Sequence, residues 1–281
     1  MFDVGVNSNT RCGDNAKQSL RLAKDAGFEN VMVSFKSENY EQLLVDAKEL
    51  GLSVCCVHLD SKYASDLWVK GESSKRYIEM MKNQIEICSK HGVKIAVLHP
   101  TSGSPSETVY GPTEHGLKGL LEILEVAKRN NVQIALENLD APNYQHFEYL
   151  MENVSSDKLK FCYDAGHHNL YYPEKDLLSK YGDRMIVMHL HDNLMDWELG
   201  YDFTRDLHFI PGDGKVDYEK ICKKIANTSY NGVILLEIYK KSSGAAGFYF
   251  NLSDLEFMKK AYISAEKIAR SVYEKRNVII D

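Results

Sequence analysis

No stretch of this 281-residue chain approaches the roughly 18 consecutive apolar residues that can cross a membrane. Its first residues, MFDVGVNSN, lack both the basic n-region and the apolar h-region of a secretory leader. These absences predict a soluble, cytoplasmic protein with no membrane partner. None of the six cysteines forms a C-x-x-C pair, and Cys55, Cys56 and Cys162 fall inside apolar, strand-like runs. That pattern disfavours a disulfide framework and predicts reduced, buried thiols. An excess of basic residues is missing too, since 34 Lys and Arg face 40 Asp and Glu for a net charge of −6. A nucleic-acid partner is therefore not expected. No linker, low-complexity tract or internal repeat divides the chain, so residues 1–281 are expected to form one domain. A domain of this size buries about 75% of its extended-chain surface.

What is present is a regular alternation. Apolar strand-like runs occur at 3–7, 30–35, 53–59, 94–99, 133–139, 159–164, 185–190 and 232–238. Helical spacing follows each, at 15–26 (stopped by Gly27), 40–50 (stopped by Gly51), 73–90, 113–130 (with Thr113 as N-cap), near 144–153, near 174–181, 217–226 and 253–275. Such alternation implies parallel strands joined by right-handed crossovers. An open doubly wound sheet is compatible with it. Eight units in this length favour an α/β fold closed as an eight-stranded (β/α)8 barrel, which typically takes about 250 residues.

In such a barrel the core lies inside and the chemistry sits where the strands stop. The apolar runs end in polar, metal-competent side chains: VCCVHLD at 54–60, IAVLHP at 95–100, IALENLD at 134–140, FCYDAGHH at 161–168, RMIVMHLHDN at 184–193 and VILLEIY at 233–239. The candidate residues are His58, His99, Glu137, Asp164 with His167, His189 and Glu237, with Asp206 and His208 in a later loop. One strand-end histidine is usually structural. So many carboxylates and imidazoles need compensation, because a buried carboxylate is costly unless paired or metal-bound. A divalent metal supplies it. Glu137, Asp164, His189 and Glu237 come from the fifth to eighth runs and should converge on one side of the mouth. This oxygen-rich set suits one Mn²⁺, Co²⁺ or Mg²⁺, and Zn²⁺ is compatible. Two loops, 101–112 and 194–209 with Trp197, Tyr201 and Phe203, would lie on the same face as lids or substrate walls. Pro211-Gly212-Asp213-Gly214 lacks the Lys-Ser/Thr of a phosphate loop and reads as a turn. His191 is expected to point to the far side of the barrel interior or to support the site from behind.

Five motifs carry a resemblance: L-E-N at 136–138, Y-D-A-G-H at 163–167, H-L-H-D at 189–192, D-x-H followed by P-G-D-G at 206–214, and L-L-E at 235–237. Together they resemble the xylose isomerase-like TIM-barrel superfamily of sugar and sugar-phosphate isomerases and epimerases, inosose dehydratase and endonuclease IV. The resemblance implies a metal at Glu137, Asp164, His189 and Glu237. His189 rather than His191 is the implied ligand, because the family's histidine stands three residues before an acidic residue, here Asp192. In the epimerases the two glutamates shuttle a proton beside a carbonyl through an enediolate, and the position of His167 contacts substrate oxygen. The implied partner is a small sugar or sugar-like substrate. A homo-oligomer stays open, since relatives are often dimers or tetramers. Two departures from the tagatose-type epimerases, Asn143 in place of a glutamate and Met195 in place of an arginine, leave the substrate undefined.

The same residues support a rival. Endonuclease IV binds three zinc ions with a set resembling His58, His99, Glu137, Asp164, His167, His189, Asp206, His208 and Glu237. That likeness implies up to three Zn²⁺ and hydrolysis of a phosphodiester. A DNA channel also wants basic loops, and segments 61–76 and 101–112 offer a modest basic content and none, respectively. An isomerase or epimerase is the favoured expectation, with the nuclease and an inosose-type dehydratase as alternatives.

Overall fold

The computed structural model describes residues 1–37, 39–102, 111–194, 206–241 and 247–280. Most of the loops at 101–112 and 194–209, with Trp197, Tyr201, Phe203 and Met195, lie outside the described residues. The element order is β1 (Val4–Asn7), α1 (Ala16–Ala26), β2 (Asn30–Ser34), α2 (Tyr40–Glu49), β3 (Ser53–His58), α3 (Glu72–Lys90), β4 (Ile95–Leu98) and α4 (Glu114–Arg129). There follow β5 (Gln133–Glu137), α5 (Ala141–Asn153), β6 (Leu159–Asp164), α6 (Ala165–Tyr171), α7 (Leu177–Tyr181), β7 (Met185–His189), α8 (Tyr218–Ala226), β8 (Ile234–Leu236) and α9 (Asp254–Ile280). A short 3₁₀ turn, Ala64–Trp68, leads into α3.

Local chemistry sets these boundaries. Asn15 accepts the Gln18 N–H at 3.0 Å to open α1, and Gly27 closes it at φ 111°. Thr113 caps α4 by accepting the Gly116 N–H, and Asp217 caps α8 through the Lys220 N–H. The segment after β6 differs from expectation. A single helix near 174–181 is expected there, yet α6 begins directly at the strand end. Asp164 is its N-cap, accepting the His167 N–H at 2.7 Å. The amphipathic stripe that marks other helices is missing, because Ala165, Gly166, His167, His168 and Leu170 are all buried.

The strands form one parallel sheet in the order β7-β6-β5-β4-β3-β2-β1-β8. Its two ends meet through one parallel bridge, Leu190 to Leu236. Leu190 N–H donates to Leu235 O at 3.0 Å, and Glu237 N–H donates to Leu190 O at 3.1 Å. This is a (β/α)8 barrel with a thin seam between β7 and β8. The large apolar core lies between sheet and helices. A second, small cluster consists of Met32, Cys56, Val97, Ala135, Cys162, Val187 and Leu235, one residue from each of β2 to β8. It fills the barrel interior. Side chains alternate along a strand, so the residues two further on face the same interior one layer higher. Those residues are Ser34, His58, His99, Glu137, Asp164, His189 and Glu237. The polar ends of the strands are the next layer above an apolar plug.

Candidate metal centre

Among the described residues, four overlapping groups of ligand-competent atoms lie in or beside this layer, one of them Glu137, Cys162 and His189. Glu137, Asp164, His189 and Glu237 bring one ligand atom each to within 4.8 Å of one another. His189 Nδ1 lies 3.2 Å from Glu237 Oε2, 3.5 Å from Glu137 Oε2 and 3.9 Å from Asp164 Oδ2. Ligand atoms about 2.1 Å from a shared ion stand roughly 3.0–3.4 Å apart; Glu237 meets that spacing, and Glu137 and Asp164 stand slightly wide of it. His189 is fully buried, and neither ring nitrogen makes a hydrogen bond among the described residues. An imidazole stripped of water and hydrogen bonds is costly unless a Lewis acid takes its lone pair. The residues fit a metal.

The second group is His58, His99 and Glu137. The two histidine Nε2 atoms lie 3.0 Å apart, and each is 3.2 Å from Glu137 Oε2. His58 Nδ1 donates to Leu59 O at 2.9 Å, which leaves Nε2 facing inward. Glu137 belongs to both groups and to the one with Cys162. The third group is His167, His191, Asp206 and His208. His167 Nε2 and His208 Nε2 stand 3.1 and 3.0 Å from Asp206 Oδ2. Their Nδ1 atoms donate to Asn138 O at 3.1 Å and Glu237 O at 2.8 Å. The structure thus brings all nine candidate residues to one end of the barrel.

The motifs around them do mechanical work. Asn138 accepts the Asp164 N–H at 2.8 Å and donates to Asp164 O at 2.9 Å, fixing the end of β6 beside β5. Asp192 receives four backbone N–H groups, from Asn193, Gly212, Gly214 and Val216, at 2.8–3.0 Å. It holds the P-G-D-G turn, and the Asp192–Phe209 bridge sets His208 in place at φ 50°. Tyr172 is buried and donates to Leu139 O, a packing role. His168 bonds Tyr163 Oη and Lys175 O, both at 2.8 Å, a structural role.

The electrostatics follow from crowding. Burial alone would raise the Glu137 and Glu237 carboxyls, but neighbouring imidazoles, His189 first, outweigh it and hold both well below the usual carboxylate range. Burial likewise opposes protonation of His167, His189 and His208. The surrounding acidic groups prevail, and His208 is pushed up to about 9. His99 goes the other way, down to about 4, because burial dominates.

Two residues outside the nine-residue set also reach the site: His191, expected on the far side of the barrel interior or behind the site, and Cys162, expected only as a buried thiol. His191 is fully buried inside the site, with Nε2 3.1 Å from Asp164 Oδ1. Strand alternation was the available signal, since residues 189 and 191 share one face. Cys162 lies directly beneath His189 and Glu137, its Sγ within 4.8 Å of their ligand atoms.

The model of the xylose isomerase-like TIM barrel matches residues 20–260. This chain belongs to that family. Family relatives include the uncharacterized protein y4fM of Sinorhizobium fredii, 26% identical over 94% of this chain and 92% of that one. The inosose isomerase of Bacillus velezensis is 21% identical over 93% and 94% of the two chains. A probable endonuclease 4 of Mesoplasma florum is 26% identical over 54% of this chain and 55% of its own. Among solved structures, L-ribulose 3-epimerase superposes with a TM-score of 0.76 at 16% identity, covering 99% and 98% of the chains. An IOLI protein with a binding zinc atom gives 0.70 at 18%, covering 98% and 99%. At these identities the structural likeness speaks for the fold. No helix among the described residues is long and apolar enough to cross a membrane.

Proposed function

We propose that this protein is a divalent-metal-dependent isomerase or epimerase of a small sugar or sugar-like hydroxy-carbonyl compound, working by proton transfer through an enediolate. One observation carries the reading: Glu137 and Glu237 present carboxylate oxygens within 4.8 Å of each other and of Asp164 and His189, at the mouth of the barrel. The metal ligands are Glu137, Asp164, His189 and Glu237. When bound, a divalent metal supplies a Lewis acid for the substrate's carbonyl and hydroxyl oxygens. Glu137 and Glu237 are both held as carboxylates, the form that accepts a proton. With the reacting carbon between them, one removes the proton and the other returns one. Return to the opposite face of the same carbon is epimerisation, and return to the neighbouring carbon is isomerisation. Tyr239 donates to Glu237 Oε1 at 3.3 Å and steadies that carboxylate. His58, His99, His167, Asp206 and His208 bind substrate oxygens or a second metal. The names of the inosose isomerase and L-ribulose 3-epimerase relatives agree with this class.

The experiment is deuterium exchange into ketoses and inososes in D₂O, with the wild type and Glu237→Gln. Exchange by the wild type and its loss in a folded variant support the reading. Wild-type rates in the variant would sink the acid–base role. Exchange accompanied by loss of water from the substrate would place the protein among inosose-type dehydratases.

A second reading rests on the adjoining ligand groups and on the probable endonuclease 4 relative. A multi-zinc phosphodiesterase would use the same nine residues. Two or three zinc ions per chain, with cleavage at abasic sites, would put it first.

A further inference from the structure

Asp164 offers two carboxylate oxygens, and they are not equivalent. Oδ1 receives the backbone N–H of His167 at 2.7 Å and faces His191 Nε2 at 3.1 Å. Oδ2 is the oxygen turned toward His189 Nδ1, at 3.9 Å. A carboxylate accepts and cannot donate, so the His191 nitrogen between the two oxygens, 3.1 and 3.2 Å away, carries the hydrogen. The His191 ring is pinned on two sides. It stacks on His208 with ring centroids 3.8 Å apart and planes 15° from parallel. Against its edge lies Gly166, in the first turn of α6. A Cβ at that position would stand 1.9 Å from His191 Cε1 and 2.3 Å from Nδ1. Since Gly166 is helical and needs no unusual φ, the room it leaves for this ring is the physical requirement for glycine there.

We infer that His191 is a positioning residue of the metal centre: its Nε2–H, shared between both oxygens of Asp164, fixes the plane of that carboxylate beside His189, and its ring occupies the space that Gly166 leaves open. Of the two expectations for His191, the far side of the interior or support from behind, these contacts favour support, and they name the residue supported as Asp164. The carboxylate–imidazole contact is the type of outer support that orients a ligand and tunes its hold on a metal. It also links two ligand groups, because the same ring rests on His208 and its Nδ1 lies 3.8 Å from Asp206 Oδ1. The Y-D-A-G-H and H-L-H-D motifs are therefore two halves of one contact.

The inference rests on the metal reading above, so its test measures metal affinity and leaves turnover aside. Chelator-stripped full-length protein is titrated with Mn²⁺ and Co²⁺ against a competing indicator, for wild type, His191→Ala, Gly166→Ala and the double variant. His191→Ala is expected to weaken binding about 10- to 100-fold. Gly166→Ala should do the same by displacing the ring, and the double variant should bind no worse than His191→Ala. His191→Gln, which keeps an N–H donor, should recover part of the affinity. Equal affinity in wild type and His191→Ala, or fully additive losses in the double variant, would overturn the inference and leave the metal reading intact. A wild type that takes up no metal would overturn both. Should His191→Ala fail to fold, nitrogen-15 spectra of the wild type's imidazoles decide instead. An Nε2-protonated His191 is the expected state, and a ring protonated at Nδ1 alone overturns it.

Discussion

The two halves of the barrel mouth are built to different rules. At the ends of β1 and β2 the polar side chains are neutral and paired. Asn7 accepts the Ile238 N–H at 3.0 Å and donates to Asn9 Oδ1 at 3.0 Å, while Ser8 Oγ accepts the Ser34 N–H at 3.2 Å. At the ends of β5 to β8 the side chains are Glu137, Asp164, His189 and Glu237, crowded together, with His189 buried and lacking any hydrogen bond among the described residues. Both halves are equally buried, so burial does not separate a structural polar layer from a reactive one. Charge does: the β1–β2 end is neutral and hydrogen-bonded, whereas the β5–β8 end gathers three carboxylates around an imidazole that makes no hydrogen bond among the described residues.

The contrast can be broken at several points. The largest effect is expected from Glu237→Gln, which should cut turnover by about 10²- to 10⁴-fold with the circular dichroism unchanged. Metal loading comes next. A cation present at 1,000 times its dissociation constant adds about 4 kcal/mol, so the melting temperature of chelator-stripped protein should rise sharply on addition of Mn²⁺ or Co²⁺. In stripped protein a pH effect follows. The fold raises His208 from 6.5 to about 9, so it favours the protonated ring. The stability this contributes is complete below about pH 6.5 and fades as pH rises toward about 9, with His167 and His189 acting in the same sense. Thermal melts across that window should fall, and loaded protein should show a flatter profile. The smallest effect belongs to the paired half. Ser8→Ala should cost about 1 kcal/mol and leave metal affinity unchanged. An altered affinity there would show that the two halves are not independent.

Most of this architecture is legible in the chain before any coordinates. The eight strands, their parallel order and the convergence of Glu137, Asp164, His189 and Glu237 all follow from apolar runs ending in ligand-competent residues. Period-two counting would have gone further, since each polar strand end from Ser34 to Glu237 lies two residues beyond a member of the apolar plug. Helix α6 was hidden because its buried residues run through consecutive positions, Ala165 to His168, and leave no apolar stripe to set a period. The role of His191 was half legible, as one of two alternatives, and its partner was hidden for another reason. The contact depends on a gap at Gly166, 25 positions earlier, and packing between distant segments leaves no local pattern. Nor did spacing reveal that Glu137 is shared by three ligand groups, which is a matter of how strands tilt toward each other.

The seam between β7 and β8 gives the site a second meaning. Two backbone hydrogen bonds join those strands, and just above them His189 Nδ1 faces Glu237 Oε2 across the gap at 3.2 Å. Whatever ties those two side chains together also hoops the barrel. Occupancy of the centre would then tighten a closure that the backbone already makes, and slowed amide exchange at Leu190 and Glu237 would report it.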